Sequence, residues 1–118
     1  MRRRISLVVD DDSSIRAFVN VVLQQEQFQT LEADGGGPAL EILRALEEPI
    51  ELIISDIQMT KGDGLTFAAA ARELCPSAVI ILISGYAPPD DRFEFVQKPF
   101  TYKTLANAVR RLTRERVA

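Results

Sequence analysis

Unbroken apolar runs recur along this chain, and between them apolar positions return at helical spacing. "ISLVV" (5–9), "ELIIS" (51–55) and "AVIILIS" (78–84) are short, β-branched and free of polar alternation, the pattern of strands buried on both faces. "FQTLEA" (28–33) reads as an edge-type strand and "FEFVQ" (93–97) as a further strand. From Ser13, the residues Ile15, Phe18, Val19, Val22 and Leu23 follow a helical period, with Asp12 or Ser13 as N-cap. "DGGGPALEILRALEE" breaks the pattern, sets Pro38 near a first helical turn and continues as an amphipathic helix to about Glu48. "KGDG" is a turn, 64–74 an alanine-rich helix ending before Pro76, and 101–116 a closing helix.

Strands alternating with helices predict an α/β fold, a mostly parallel sheet covered on both faces. No linker, internal repeat or low-complexity stretch divides the sequence, so residues 1–118 are expected to form a single domain. In such folds ligands bind beyond the carboxyl ends of the strands, at a topological switch point.

Polar residues collect at that edge. Asp10, Asp11 and Asp12 end the first buried run, Asp56 follows "LIIS", Ser84 ends "VIILIS", and Lys98 follows "FEFVQ". Each one alone is an ordinary turn or cap residue; together they carry complementary charge to one place. Two unit charges about 4 Å apart repel by ~1 kcal/mol in water and ~4 kcal/mol at an effective dielectric near 20, so clustered carboxylates call for a cation.

Composition restricts the chemistry. The chain is 47% hydrophobic and 26% charged with a net charge of −3, which fits a folded globular protein and gives no reason to expect nucleic-acid binding. There is no histidine, so histidine-based nucleophiles and histidine-ligated metals are excluded. A metal here would be held by oxygen, which favours Mg²⁺, Ca²⁺ or Mn²⁺. The lone Cys75 cannot form an internal disulfide and suits a reducing, cytoplasmic setting. No run approaches the length of a membrane span, and "MRRRISLVV" has too short an apolar stretch for a signal peptide.

The donor set allows phosphoryl transfer. Asp56 can attack a phosphoryl group to give an acyl phosphate. Its charge would be offset by Mg²⁺ on Asp10, Asp11 and Asp56, by Lys98 as a point charge and by the Ser84 hydroxyl.

"LVVDDDSSIR", "LIISDIQMTKGDGL", "VIILISGY" and "FVQKPF", in that order over nearly the whole chain, resemble the response-regulator receiver domain, the CheY-like family of two-component signalling. The resemblance implies a five-stranded parallel sheet of order 2-1-3-4-5 and phosphorylation of Asp56. It implies Mg²⁺ held by Asp10, Asp11, Asp56 and the backbone carbonyl of Gln58, with Asp11 the more direct of the acidic pair and Asp12 a helix cap. Ser84 matches the switch hydroxyl, Phe95 the switch aromatic and Lys98 the lysine before a cis-prone proline. Gln58 and Tyr86 match positions that flank the water path to the phosphoaspartate and tune its lifetime. The implied activity is that of a signalling module, limited to self-phosphorylation from donors and slow self-dephosphorylation. The implied partner is a sensor histidine kinase or a histidine phosphotransfer protein, with phosphohistidine on another chain or elsewhere in a parent chain. "SGY" and "FVQKPF" resemble receivers of hybrid sensor kinases, so fusion and stand-alone forms both stay open. The alternative is a haloacid-dehalogenase-type phosphatase with Asp10 as nucleophile, which would need a second acidic pair where Ser84-Gly85 and Lys98-Pro99 stand.

Two positions and one connection depart from the family pattern. Thr60 replaces a common proline, predicting a less rigid loop; Gly62 and Gly64 would supply positive φ for the turn there. Gly85 replaces a common alanine. Only "GYAPPDDR" separates Ser84 from Phe93, and its two prolines disfavour helix. A parallel crossover normally takes about ten to twelve residues or more. The family's fourth helix is therefore expected to be absent or reduced to one turn, its dimerisation face remodelled. Arg110, Arg111, Arg114 and Arg116 are expected to form a solvated face beside a helix C-terminus.

Overall fold

The computed structural model describes residues 4–60, 63–86 and 92–114. Their order is β1 (Ile5–Val9), α1 (Ser13–Gln25), β2 (Gln29–Ala33), α2 (Gly36–Ala45), β3 (Leu52–Asp56), α3 (Gly64–Leu74), β4 (Val79–Ser84), β5 (Glu94–Gln97) and α4 (Tyr102–Arg114). The five strands are parallel and ordered β2-β1-β3-β4-β5.

The three unbroken apolar runs are the three central strands, and every residue of β1, β3 and β4 is buried. Alternate side chains feed two cores, one on each face of the sheet. Leu7, Val9, Ile53, Ile80 and Leu82 pack with Phe67, Ala68 and Ala71 of α3 on one face. Val8, Leu52, Ile54, Ile81 and Ile83 pack with Leu23 of α1 and Leu105 and Val109 of α4 on the other. Burying one such Leu or Ile stabilises by about 1.5–3 kcal/mol, so these runs fix the sheet and thereby the strand ends. β2 and β5 lie at the edges and keep exposed residues.

Some boundaries move. β3 runs one residue further than the apolar pattern, so Asp56 is itself the last ladder residue, paired with Ile83. α2 ends at Ala45 rather than near Glu48, with Leu46 already extended; the approach to Pro49 disfavours a further turn. Asp12 is the N-cap of α1, its carboxylate accepting from the N–H groups of Ser14 and Ile15. Among the described residues no helix joins β4 to β5, and Gly85, Tyr86 and Arg92 are non-helical. The expected loss of the fourth helix itself falls on residues 87–91, outside those described. Arg110 is held in a bidentate pair with Glu26, 2.7 Å for each bond, which ties α4 to the end of α1.

Candidate functional site

The carboxyl ends of β1, β3, β4 and β5 bring Asp10, Asp11, Asp56, Ser84 and Lys98 to one edge of the sheet. Asp10 is buried, and its Oδ1 accepts from the Asp12 N–H at 2.9 Å. Its other oxygen, Oδ2, is buried without a hydrogen-bond partner and has Lys98 Nζ 3.8 Å away. Asp56 is buried as well. Its Oδ1 accepts from the Gln58 N–H at 3.3 Å, and its Oδ2 lies 3.4 Å from Lys98 Nζ. Lys98 therefore bridges two buried carboxylates while remaining partly open to solvent. Its own N–H donates to the Ser84 carbonyl at 2.7 Å, and the Lys98–Pro99 bond is cis.

Asp11 is exposed and held differently. Its Oδ2 accepts from Thr60 twice, from the N–H at 2.8 Å and from the hydroxyl at 2.6 Å. These bonds, the hydroxyl foremost, hold the Asp11 carboxyl below its ordinary value. Burial does the reverse to Asp10, pushing its carboxyl up, with the Asp12 N–H opposing and the Asp56 charge adding to the rise.

One carboxylate oxygen from each of Asp10, Asp11 and Asp56 lies within 4.8 Å of the others. Three hard anionic oxygens at this spacing fit Mg²⁺ or Mn²⁺. Asp10 Oδ2 supports the fit, since it is buried, accepts no hydrogen bond and has only the Lys98 ammonium 3.8 Å away to offset its charge.

The remaining expected positions divide. Ser84 is buried at the end of β4, next to the Asp56–Ile83 register pair, and its Oγ accepts from the Tyr86 N–H at 3.1 Å. Gln58 is exposed and bridged to Asp63 beyond Asp56. Tyr86 is 69% exposed. Phe95 is not among the polar groups: it is half-buried against the core on the α3 face. Gly64 does not serve by positive φ as expected. It opens α3, where a Cβ would overlap the Asp56 carbonyl oxygen and come within 2.6 Å of Ile57 Cα, so close approach is what requires it. Gly62 lies outside the described residues. A Cβ at Gly85 would meet nothing within 4 Å.

Two supporting residues were not read from the sequence. Arg16 donates from Nη1 to the Asp10 carbonyl at 2.7 Å and pairs through Nε with Glu32 at 3.1 Å. Thr60, whose sequence signal is only the missing proline, clamps Asp11.

A model of the response regulator receiver domain matches residues 6–110. The chain belongs to this family. Among its relatives, the sensor kinase CckA of Brucella abortus is 33% identical over 114 residues, which are 90% of this chain and 12% of that kinase. The response regulator receiver protein CpdR of the same organism is 31% identical over 114 residues, 90% of this chain and 93% of CpdR. The chain thus spans a small part of the first relative and nearly all of the second. The receiver domain from the hybrid histidine kinase CckA superposes with a TM-score of 0.81 at 34% identity, covering 91% of this chain and 96% of that one. A response regulator receiver protein from Sinorhizobium medicae reaches 0.86 at 27% identity, covering 98% of each chain. As a receiver domain, the chain has a phosphoacceptor role in two-component signalling. A phosphatase built on Asp10 is displaced by that membership, and Asp10 is also the least accessible of the three acids at 2%.

Proposed function

We propose that this receiver domain takes a phosphoryl group from a partner phosphohistidine onto Asp56. The observation that carries the reading is the strand order, which sets Asp56 on β3 between the acids of β1 and the Ser84 and Lys98 of β4 and β5. An Asp56 carboxylate oxygen attacks phosphorus, the N–P bond of the donor breaks, and the imidazole leaves with the electron pair. Lys98, already 3.4 Å from Asp56, offsets charge on the transferred group. Ser84 can turn its hydroxyl proton toward a phosphoryl oxygen while still accepting from Tyr86.

Asp10, Asp11, Asp56 and the backbone carbonyl of Gln58 would hold Mg²⁺, with Mn²⁺ as a substitute. When bound, the cation supplies charge neutralisation for the equatorial oxygens. Self-phosphorylation from small donors and slow self-hydrolysis complete the activity, with Gln58 and Tyr86 tuning lifetime and Ser84 and Phe95 relaying the phosphorylated state.

The donor is a sensor histidine kinase or histidine phosphotransfer protein in the cytoplasm, on another chain or fused within a parent chain. Among the described residues no helix is long and apolar enough to cross a membrane, and the lone Cys75 accords with a reducing compartment. The Arg110–Glu26 pair supports a structural rather than a nucleic-acid role for the basic end of α4. Trapping the acyl phosphate after transfer and mapping it by peptide mass tests the assignment. Label on Asp56 supports it; label on Asp10 or Asp11 overturns it.

A further inference from the structure

Of the three clustered acids, Asp11 alone is exposed. Asp10 and Asp56 are fixed by burial, by one local hydrogen bond each and by Lys98. Asp11 has no such enclosure. What fixes it is Thr60, from the loop after β3, through two short bonds to a single oxygen, Oδ2. Hydrogen bonds to an ionised acceptor are the strong kind, and two on one atom define the direction of the carboxylate. Neither of them occupies Oδ1.

Accepting the Mg²⁺ site proposed above, we infer that Thr60 is a positioning residue for the cation, holding Asp11 turned into the cluster with Oδ1 left for the metal. A proline, which the resemblance makes common at this position, has no N–H and no hydroxyl and could make neither bond. A receiver with proline here therefore lacks the device. Two effects oppose each other. Donors on Oδ2 draw charge from the carboxylate and weaken it as a ligand. Orientation strengthens it, because a flexible exposed side chain no longer has to be ordered when the metal arrives. Partners of metal-binding carboxylates typically contribute about 10–100-fold in affinity, so orientation is the larger effect.

The test is Mg²⁺ titration by calorimetry on the wild type, Thr60→Val, Thr60→Ala and Thr60→Ser. Valine keeps the shape and the N–H but loses the hydroxyl; serine keeps both donors. Loss of affinity on the order of tenfold is expected for Val and Ala, with Ser close to wild type. In an Asp11→Asn background the same Thr60→Val change should leave affinity unaltered, a result that a general loosening of the fold would not give. Alanine, at an exposed loop position, keeps the test open should valine fold poorly. Unchanged or tighter Mg²⁺ binding in both variants overturns the inference and makes the clamp idle or competitive. A wild type that does not bind Mg²⁺ overturns the metal site itself, and the inference with it.

Discussion

Gly64 sits against the backbone of Asp56 so closely that a single methyl group would overlap the Asp56 carbonyl oxygen. The Gly64 N–H also donates to the Ile57 carbonyl at 2.8 Å, so the start of α3 is docked onto the end of β3. Gly64→Ala must push that strand end away. Overpacking of this kind costs about 1–3 kcal/mol. Urea denaturation should show a loss of this order, and phosphorylation of the folded variant should slow because Asp56 is displaced from Lys98. A variant as stable and as reactive as wild type would show that the contact relaxes freely.

The two acids at the end of β1 are shifted in opposite directions. Asp10 is held above its ordinary value chiefly by burial, so the native state binds its proton before the unfolded chain does as pH falls. In the absence of Mg²⁺, acidification through that raised value stabilises the native state, down to the ordinary value. Asp11 is depressed, chiefly by the Thr60 hydroxyl; its contribution is present above the ordinary value and lost as pH falls through the depressed one. The two windows lie on opposite sides of the ordinary carboxylate value. Stability measured against Asp10→Asn isolates the first: wild type should gain relative to the variant as pH falls through the upper window. A pH-independent difference would refute the assignment.

Lys98 neutralises Asp10 and Asp56 together, so removing it leaves buried negative charge. Lys98→Met is expected to cost about 1–3 kcal/mol without metal. Mg²⁺ should then raise the melting temperature of the variant more than that of wild type, because the cation takes over the neutralisation. An equal shift in both proteins would count against a shared electrostatic site.

The sheet was legible in the sequence because β1, β3 and β4 are buried on both faces, and burial of that kind leaves unbroken β-branched runs. The site was legible for a related reason. A polar residue that ends such a run has to emerge at the strand's carboxyl edge, which located Asp10, Asp56 and Ser84, and Lys98 follows the edge strand β5 to the same place. Their supports were not. Thr60 reaches Asp11 from another loop, Arg16 reaches a main-chain carbonyl, and Gly64 is required by a backbone approach; none leaves a periodic trace. Asp56 was read as following its strand, since apolar pattern does not reveal that a buried carboxylate still pairs in the ladder.

Tyr86 tests the lifetime proposal. Its N–H is anchored to the Ser84 hydroxyl at 3.1 Å, and its ring lies largely in solvent beside the strand ends. A phenol there should restrict the water that attacks the phosphoaspartate. Tyr86→Ala is expected to lose its phosphoryl group faster than wild type, followed by phosphate release. Equal or slower loss would show that Tyr86 does not set the lifetime.

Phosphoryl acceptance by Asp56 with help from an oxygen-held cation stands or falls on one measurement. That measurement is intact mass after incubation with a small phosphodonor, with and without Mg²⁺. A single phosphoryl adduct that requires Mg²⁺ or Mn²⁺ is expected on the wild type, and none on Asp56→Asn. An adduct that survives in Asp56→Asn, or that forms equally well in chelator, would contradict it.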